Sequence, residues 1–424
     1  MDRSRTAPPG EDAPQRAGAG RRALLRGLAG SAALAAMPAR AQPLPTGPWE
    51  RVVARARNQV VHFHALGGDA AMDAYIAWGA ARLRRSHGIT LRHIRLRALA
   101  EGVARLAAER AAGRDRGGAI DLLWCEGQPF LALKQQGLLR RFAYELPNFA
   151  LVDTVGKPAT ALHHSVAVEG YGAPWRMTQL VFLYDSARLP RPPLSMLAMP
   201  DWAREHPGRL THPQPRDPLG AGFLTQALYE MVAHPRVLAA PATDDNAALV
   251  TAPFWEWYGA LRPHLWRQGR AFPPDAAAQR QLLREGETDI AIAAGPADGS
   301  AAIAHGLLPE TVRSYVPTIG SIGSASFLAI PANAAQPEAA MLAANFFLSP
   351  EAQAHAQDPA VLGSPTVLDL DRLSEADQQR FAALPRGVAT LSNAALGRPL
   401  PEPHPSWAAR LTEEWERRIA LPMR

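Results

Sequence analysis

Aromatic, acidic and amide side chains stand together where one apolar run of the sequence ends. Residues 119–125 form a nearly continuous apolar run, which is typical of a strand buried on both faces. Trp124 at its end could form one wall of a site for an aromatic or apolar ligand. Glu126 and Gln128, which follow directly, could orient that ligand. The alternative is that Trp124 belongs to the core and that Glu126 caps the next helix.

A second group of candidate ligand contacts lies in residues 171–176 (YGAPWR), where we expect the chain to cross between two lobes. The glycine and the proline restrict the backbone path, as a hinge requires. Tyr171 and Trp175 would bring aromatic rings to the ligand. Arg176 could bind a carboxylate or a phosphate through two parallel hydrogen bonds. Plain hinge packing, and a salt bridge from Arg176 to a protein carboxylate, are the alternatives.

Small residues supply two further candidate contact regions. Residues 320–326 (GSIGSAS) offer the hydroxyls of Ser321 and Ser326 and unhindered backbone N–H groups, which suit an anionic or polyhydroxyl ligand. An ordinary loop between strands is the alternative. Residues 295–300 open a helix, whose free N–H groups favour negative charge. Asp298 there is either the cap of that helix or a ligand for a cation.

The elements that must position these groups alternate between strand and helix. Apolar runs and helical periodicity predict strands at 60–65, 89–96, 119–125, 179–184 and 288–293 and mostly strand at 314–331, with helices at 219–232, 253–268, 275–285, 337–354 and 408–419. The order βαβαβα in the first third predicts a parallel sheet with helices on both faces. In such sheets ligands bind at the carboxyl ends of the strands. Four loops are expected there: Gly67-Gly68-Asp69, Glu126-Gly127-Gln128, Pro218-Leu219-Gly220 and residues 295–300.

Histidines give only a weak indication of a metal site. His62 and His64 lie on the same face of a predicted strand, because side chains alternate along a strand. A metal ion would need further ligands. His93 and the pair at 163–164 are available, but nothing in the sequence sets their distances. We expect solvated or packed histidines, with no metal and no cofactor.

The motifs of common hydrolases and nucleotide-binding enzymes are absent from the sequence. It contains no Gly-x-Ser-x-Gly elbow, no phosphate-binding lysine loop and no His-Glu-x-x-His. Cys125 is the single cysteine, and a thiol inside an apolar strand is usually inert. We therefore expect a binding protein rather than an enzyme.

The beginning of the sequence has the composition of an export signal. The pair Arg21 and Arg22 precedes a short apolar run, 27–37, and a small-x-small pattern ends at Ala41. The apolar run is too short to span a bilayer, which takes roughly 20 residues. We expect residues 1–41 to be a cleaved signal peptide of the twin-arginine type and the mature protein to be soluble in the periplasm. General secretion, or a basic N-terminus that is not exported, are the alternatives.

The charge of the chain bears on its possible ligands, and its length bears on the number of domains. Of 424 residues, 45 are lysine or arginine and 39 are acidic, but the predicted signal holds seven of the basic residues and only three of the acidic ones. The rest of the chain is close to neutral and has no basic stripe with interleaved aromatics, so nucleic-acid binding is not expected. Its length exceeds what one core usually serves, which predicts two domains.

Six stretches of the chain also carry a family resemblance. They are residues 67–96 (GGDAAMDAYIAWGAARLRRSHGITLRHIRL), 118–139, 171–186 (YGAPWRMTQLVFLYDS), 283–293 (LREGETDIAIA), 306–334 and 344–373. In this order they resemble the periplasmic solute-binding proteins of ABC importers, the bilobal type that includes thiamine, iron and polyamine binders. Within that family they are most similar to the YnjB-type branch, for which no particular substrate is implied.

The resemblance implies a fold, a function and partners. The fold is α/β, a two-lobed type II periplasmic binding fold with a ligand cleft between the lobes. The first lobe would hold residues 42–165 and 313–357, and the second lobe residues 166–312 and 358–424. The implied function is a monomeric substrate-binding component that captures a small solute by hinge closure and delivers it to the permease and ATPase subunits of the importer.

The sequence does not select one class of solute. A heteroaromatic cation such as thiamine, a phosphorylated compound and an organic acid all suit the candidate side chains. Two other functions are the alternatives: an exported binding or sensor protein without a transporter, and an exported hydrolase on the same fold.

Overall fold

The computed structural model describes residues 49–421, and the predicted export signal lies outside them. The helices are α1 Trp49–Ala56, α2 Ala70–His87, α3 Leu99–Ala111, α4 Gly127–Gln135, α5 Met199–Glu205, α6 Pro218–Met231, α7 Asp244–Leu261, α8 Ala276–Glu285, α9 Asp298–Ala304, α10 Pro337–Phe347, α11 Pro350–Gln357, α12 Glu375–Ala382, α13 Asn393–Leu396 and α14 Pro405–Trp415. The strands are β1 Val60–Leu66, β2 Thr90–Leu96, β3 Leu122–Cys125, β4 Leu162–His163, β5 Val166–Ala167, β6 Gly172–Gln179, β7 Val181–Asp185, β8 Ile290–Ala293, β9 Val312–Tyr315 and β10 Gly323–Ala329.

A five-stranded sheet organises the first lobe, in the order β2-β1-β3-β10-β6. β1 runs parallel to β2 and β3, whereas β10 is antiparallel to β3 and β6. The parallel strands β1 and β2 are connected by α2, whose ends are set by local sequence. Asp69 accepts the backbone N–H groups of Ala71 and Met72 and so begins α2. Gly88, with φ +70°, ends it. Every side chain of β3 is buried, as its apolar run predicts.

A three-stranded antiparallel sheet, in the order β8-β7-β9, organises the second lobe. Its core contains apolar residues from α6, α7 and α14 as well as from the sheet. The expected α/β architecture is confirmed, with one main sheet in each lobe, a two-stranded sheet of β4 and β5, and mostly separate cores. Among residues 49–421 we find no helix that is both long enough and apolar enough to cross a membrane.

The chain changes sheet twice between the two lobes. β6 belongs to the first sheet and β7 to the second, so the first crossing lies between Gln179 and Val181. The second crossing lies between Tyr315 at the end of β9 and Gly323 at the start of β10. Beyond residue 358, apolar residues up to Leu384 pack on the first core, whereas those of α14 pack on the second. The resemblance predicts that the chain changes lobe between residues 165 and 166, between 312 and 313, and between 357 and 358. This division into lobes stays a prediction.

Several element predictions need correction. The segment 171–176, interpreted as the crossing, is the residue before β6 and the first part of that strand, because the apolar and small residues from Gly172 onward pair with β10. The predicted strand at 179–184 is the end of β6 followed by β7. The helix predicted at 253–268 begins earlier, as α7, since Thr243 forms a capping box with Asn246. The helix predicted at 337–354 is two helices, because Ser349 and Pro350 begin a new one.

Candidate functional site

Four of the predicted contact residues meet where β3 ends, beside the middle of β10 and β6. Glu126 Oε2 accepts the indole N–H of Trp124 at 3.0 Å and also the hydroxyl of Ser326. Ser326 pairs with Arg176 in the ladder between β10 and β6. The Arg176 guanidinium lies 5.9 Å from the centre of a Trp124 ring. We call Trp124, Glu126, Arg176 and Ser326 the strand-end cluster.

The strand-end cluster faces the second lobe through Arg176. The Nε atom of Arg176 is buried and has no hydrogen-bond partner among the described residues. Burial raises the pKa of Asp298 at the start of α9, and backbone N–H groups of the preceding loop and the positive charge of Arg176 oppose that rise. Asp298 Oδ2 accepts the Gly295 N–H at 3.0 Å. Asp298 therefore fixes its own loop and lies within electrostatic reach of Arg176.

A cavity of about 400 Å³ opens beside the strand-end cluster and is lined by both lobes. Thr178 and Ser324, which contribute to its wall, lie two positions along β6 and β10 from Arg176 and Ser326. The second lobe contributes the beginning of α6, with Leu219, and the residue that follows β8. We call this space the interlobe cavity.

A partly buried carboxylate, Glu402, lies in the wall of the interlobe cavity between two histidines. Its Oε2 is 3.4 Å from His163 Nδ1, and its Oε1 is 3.7 Å from His164 Nε2. Burial opposes ionisation of Glu402, but the hydrogen bond from His163 and the electrostatic interaction with both histidine rings outweigh it and lower the pKa of Glu402. Ser324 also donates to the carboxylate. Glu402 therefore holds a negative charge at the cavity.

Trp175, expected as a cleft wall, lies in the core of the first lobe. Only 1% of its surface is exposed, and its ring packs against Phe63, Tyr75, Trp124 and Phe347. Trp175 is itself the extra residue of a β-bulge, because its neighbours Arg176 and Pro174 pair with the consecutive residues Ser326 and Phe327 of β10. The structure therefore places Trp175 behind the strand-end cluster and away from the cavity.

Two other predicted contacts, Tyr171 and Ser321, do not line the interlobe cavity. Tyr171 directly precedes β6 and lies under the cationic groups of Lys134 and Arg141. Ser321 is fully buried at the second crossing, where its hydroxyl accepts from Gln179 at 3.2 Å.

Gly220 does not touch the cavity, although its neighbours Leu219 and Ala221 do. A Cβ at Gly220 would lie 2.3 Å from the carbonyl oxygen of Gln214, so the glycine is needed for close packing of α6. The structure therefore gives Gly220 a role in placing the cavity wall.

The loop after β1 and the start of α4 are not joined to the strand-end cluster by any described hydrogen bond or ring contact. Gly67 packs against Arg95, Gly68 has φ +97°, and Asp69 caps α2. Gln128 is exposed in the first turn of α4. The carboxyl ends of β1 and β3 nevertheless share one edge of the sheet, so both segments flank the cluster.

The histidines on β1 do not converge on a metal site. His62 Nδ1 lies 3.2 Å from Asp121, and His64 is buried, which lowers the pKa of its ring. Within residues 49–421, the one group of three potential ligands is His163, His164 and Glu402, with ligand atoms within 4.8 Å of one another.

Sequence reasoning did not single out Glu402, Thr178 or Ser324. Glu402 stands in the proline-rich segment 399–405, which has no periodicity, and reaches the cavity only because β4 and β5 form a hairpin beside it. A single charged residue among prolines was the only available signal. Thr178 and Ser324 could have been found from alternation, since each lies two residues from a predicted contact.

Comparisons with known proteins agree with this architecture. The family described as bacterial extracellular solute-binding protein matches residues 79–381. Protein YnjB of Escherichia coli (strain K12) is 37% identical over 369 residues, which cover 87% of this chain and 92% of that protein.

Two solved structures are similar at the level of the fold. A putative extracellular solute-binding protein from Bordetella parapertussis has a TM-score of 0.62 at 16% identity, covering 85% of this chain and 98% of its own. An ABC transporter structure from Clostridium perfringens ATCC 13124 has a TM-score of 0.61 at 14% identity, covering 86% and 100%. The two-lobed fold and the expected resemblance are thereby confirmed, and the chain belongs to the bacterial extracellular solute-binding protein family.

Proposed function

We propose that this substrate-binding component of an ABC transporter holds its solute in the interlobe cavity and releases it to a membrane permease. The family and the close relationship to YnjB support the role in solute capture. The observation that carries the assignment of the site is that the interlobe cavity has walls from both lobes and adjoins the strand-end cluster. A solute in that position contacts both lobes, so it can stabilise a closed arrangement.

The two crossings are suited to a hinge. Both are short, and they are tied together by the hydrogen bond from Gln179 to Ser321 and by the backbone bond from Leu180 N–H to the Ile322 carbonyl at 3.0 Å. Bending at a few residues that join two rigid lobes is how such clefts open and close. Ser321, which we expected to contact solute, is in this proposal a hinge residue.

The size of the interlobe cavity suits a small molecule. A volume of about 400 Å³ falls in the range of roughly 300–1,000 Å³ typical of small-molecule sites. Its wall is mainly apolar, with a few polar groups such as Thr178, Ser324 and Glu402. The strand-end cluster lies at the edge of this wall. We propose that Ser326 extends the polar side of the site when the lobes close, whereas the charge of Arg176 is matched by Asp298 of the second lobe.

In the proposed function the protein binds the solute without converting it. Burial raises the pKa of the Cys125 thiol far above its usual range, so that this sulfur stays protonated and unreactive. The proposed mechanism needs only binding, closure and docking on the permease. We propose that these steps take place in the periplasm and that the protein acts as a monomer.

The test is a ligand screen followed by a transport assay. The purified protein is unfolded and refolded to remove any bound solute, then screened by thermal shift against about a hundred small solutes. Because a solute that binds only the folded state raises stability by mass action, we expect at least one class to raise the melting temperature by several degrees. That solute, with the protein, should then stimulate ATP hydrolysis by the cognate permease complex in vesicles. Absence of any stabilising solute, or binding without stimulation, would contradict the proposed function.

A further inference from the structure

The charges around the interlobe cavity narrow the class of solute. Among its described lining residues, Glu402 is the only acidic one, and lysine and arginine do not occur. His164 and His404 also line the cavity, and burial lowers the pKa of both rings, which leaves them neutral at pH 7. The wall therefore carries one negative charge and no positive one.

The hydrogen bonds around Glu402 leave this charge incompletely matched. The Gly127 N–H donates to His163 Nε2, so the remaining proton of that ring is on Nδ1 and points to the carboxylate at 3.4 Å. The distance from His164 Nε2 to Glu402, 3.7 Å, is longer than a hydrogen bond. Glu402 also accepts from the Ser324 hydroxyl and, at 3.5 Å, from the His164 backbone N–H. None of these donors carries a positive charge, so the carboxylate gains from an additional cationic donor.

The same hydrogen bonds argue against a metal ion. A metal needs the lone pair of His163 Nδ1, but that nitrogen is protonated because Nε2 accepts the Gly127 N–H. Only His164 and Glu402 would remain as ligands, fewer than a structural or transport metal site uses.

The beginning of α6 at the cavity does not favour an anion either. A helix N-terminus attracts negative charge, but the carboxylate of Asp217 already accepts the Leu219 N–H at 2.8 Å, and Pro218 has no N–H. An anionic solute would thus be buried beside Glu402 without a cationic partner in the wall.

We infer that the solute is an organic monocation, a protonated amine or amidinium on a compact apolar body, whose charged nitrogen pairs with Glu402. This inference rests on the proposed function. Leu180, Leu219 and Ile322 form an apolar wall for the body, while His164 and Ser324 offer acceptors beside the charge. One carboxylate matches one positive charge, so polyamines and phosphorylated compounds fit poorly.

The experiment compares solutes of one shape and different charge. The screen includes benzamidine, benzamide and benzoate, and also tryptamine, tryptophol and indole-3-acetate, together with zinc chloride. We expect stabilisation from cations and not from their neutral or anionic analogues. Glu402→Gln should weaken binding of the stabilising cation at least tenfold by calorimetry. Glu413→Gln, which removes an exposed carboxylate of α14 away from the cavity, should leave the affinity unchanged.

A second pair of variants covers the case in which Glu402→Gln fails to fold. Thr178→Lys places a positive charge on the cavity wall, and Thr178→Gln places a neutral group of similar length there. Only the lysine should abolish cation binding. A stabilising anion, a cation whose affinity is unchanged by Glu402→Gln or Thr178→Lys, or stabilisation by zinc alone would overturn the inference and leave solute binding intact. A screen without any stabilising solute would instead remove the proposed function and this inference with it.

Discussion

Trp175 packs edge-on against Trp124, with ring centroids 5.4 Å apart and an interplanar angle of 84°. The contact joins the core of the first lobe to the strand-end cluster, because Trp124 in turn donates to Glu126 at 3.0 Å. Trp175 is fully buried, whereas Glu126 is partly exposed. A core aromatic side chain thus supports the polar groups that face the cavity.

Replacement of Trp175 should therefore lower stability. We expect Trp175→Ala to reduce the free energy of unfolding by about 3–5 kcal/mol, since it leaves a large cavity among aromatic rings. Trp175→Phe, which keeps part of the packing, should cost less than half of that. Urea denaturation followed by circular dichroism measures both. Full stability of the alanine variant together with lost solute binding would show instead that the indole faces the ligand.

Removal of the Glu126 carboxylate should leave two donors without partners. In Glu126→Ala the indole N–H of Trp124 and the hydroxyl of Ser326 both lose their acceptor. We expect a loss of about 1–3 kcal/mol in the free energy of unfolding, because partly buried donors are costly when unpaired. The matched control is Gln128→Ala in the same loop, whose exposed side chain should change stability by less than about 0.5 kcal/mol. Equal effects of the two variants would contradict the role of Glu126.

The fold was predictable wherever local signals were strong. The strand at β1, the cap at Asp69 and the stop at Gly88 follow from alternation and capping, and the structure has them. The start of β6 was missed because Gly172 and Pro174 are typical of turns. There the pairing with β10, a contact distant in sequence, outweighs local preference.

The candidate site was predictable only in part. Trp124 and Glu126 were predicted because ligands bind at the carboxyl ends of parallel strands. Arg176 was proposed from an expected lobe crossing and Ser326 from a segment of small residues, and the pairing of β6 with β10 brings both to the cluster. The sequence could not tell that Trp175 points into the core, since a β-bulge sets its direction. Nor could it place Glu402, whose position depends on a hairpin more than 200 residues away in the chain.

Two helix glycines provide a matched test of the cavity wall. A Cβ at Gly220 in α6 would lie 2.3 Å from the Gln214 carbonyl oxygen and 2.4 Å from that of Pro213, and backbone cannot move cheaply. We expect Gly220→Ala to cost about 1–3 kcal/mol and to weaken solute binding, because α6 lines the cavity. Gly259→Ala in α7 meets nothing within 4 Å and should add about 0.5–1 kcal/mol to stability without changing affinity. Thermal unfolding and calorimetry compare the two, and wild-type stability of Gly220→Ala would refute the close approach.

A buried histidine should make the second lobe sensitive to acid. His212 is fully buried, with Nδ1 2.7 Å from the Pro213 carbonyl oxygen and Nε2 2.9 Å from the Tyr258 hydroxyl. Burial lowers its pKa to about 4, whereas an unfolded histidine has a pKa of about 6.5. Between about pH 4 and pH 6.5, this histidine thus binds a proton in the unfolded chain but not in the folded protein.

The stability that His212 contributes is therefore fully present above pH 6.5 and is lost as the pH falls towards 4. We expect the free energy of unfolding to fall by about 2 kcal/mol on this account between pH 7.5 and pH 5. Urea denaturation at a series of pH values measures the slope. His212→Gln should flatten it even where it lowers stability overall, whereas His305→Gln, which replaces an exposed histidine, should leave the slope unchanged. A slope in His212→Gln that equals that of the wild-type protein would contradict this assignment, because the proton uptake would then occur at another group.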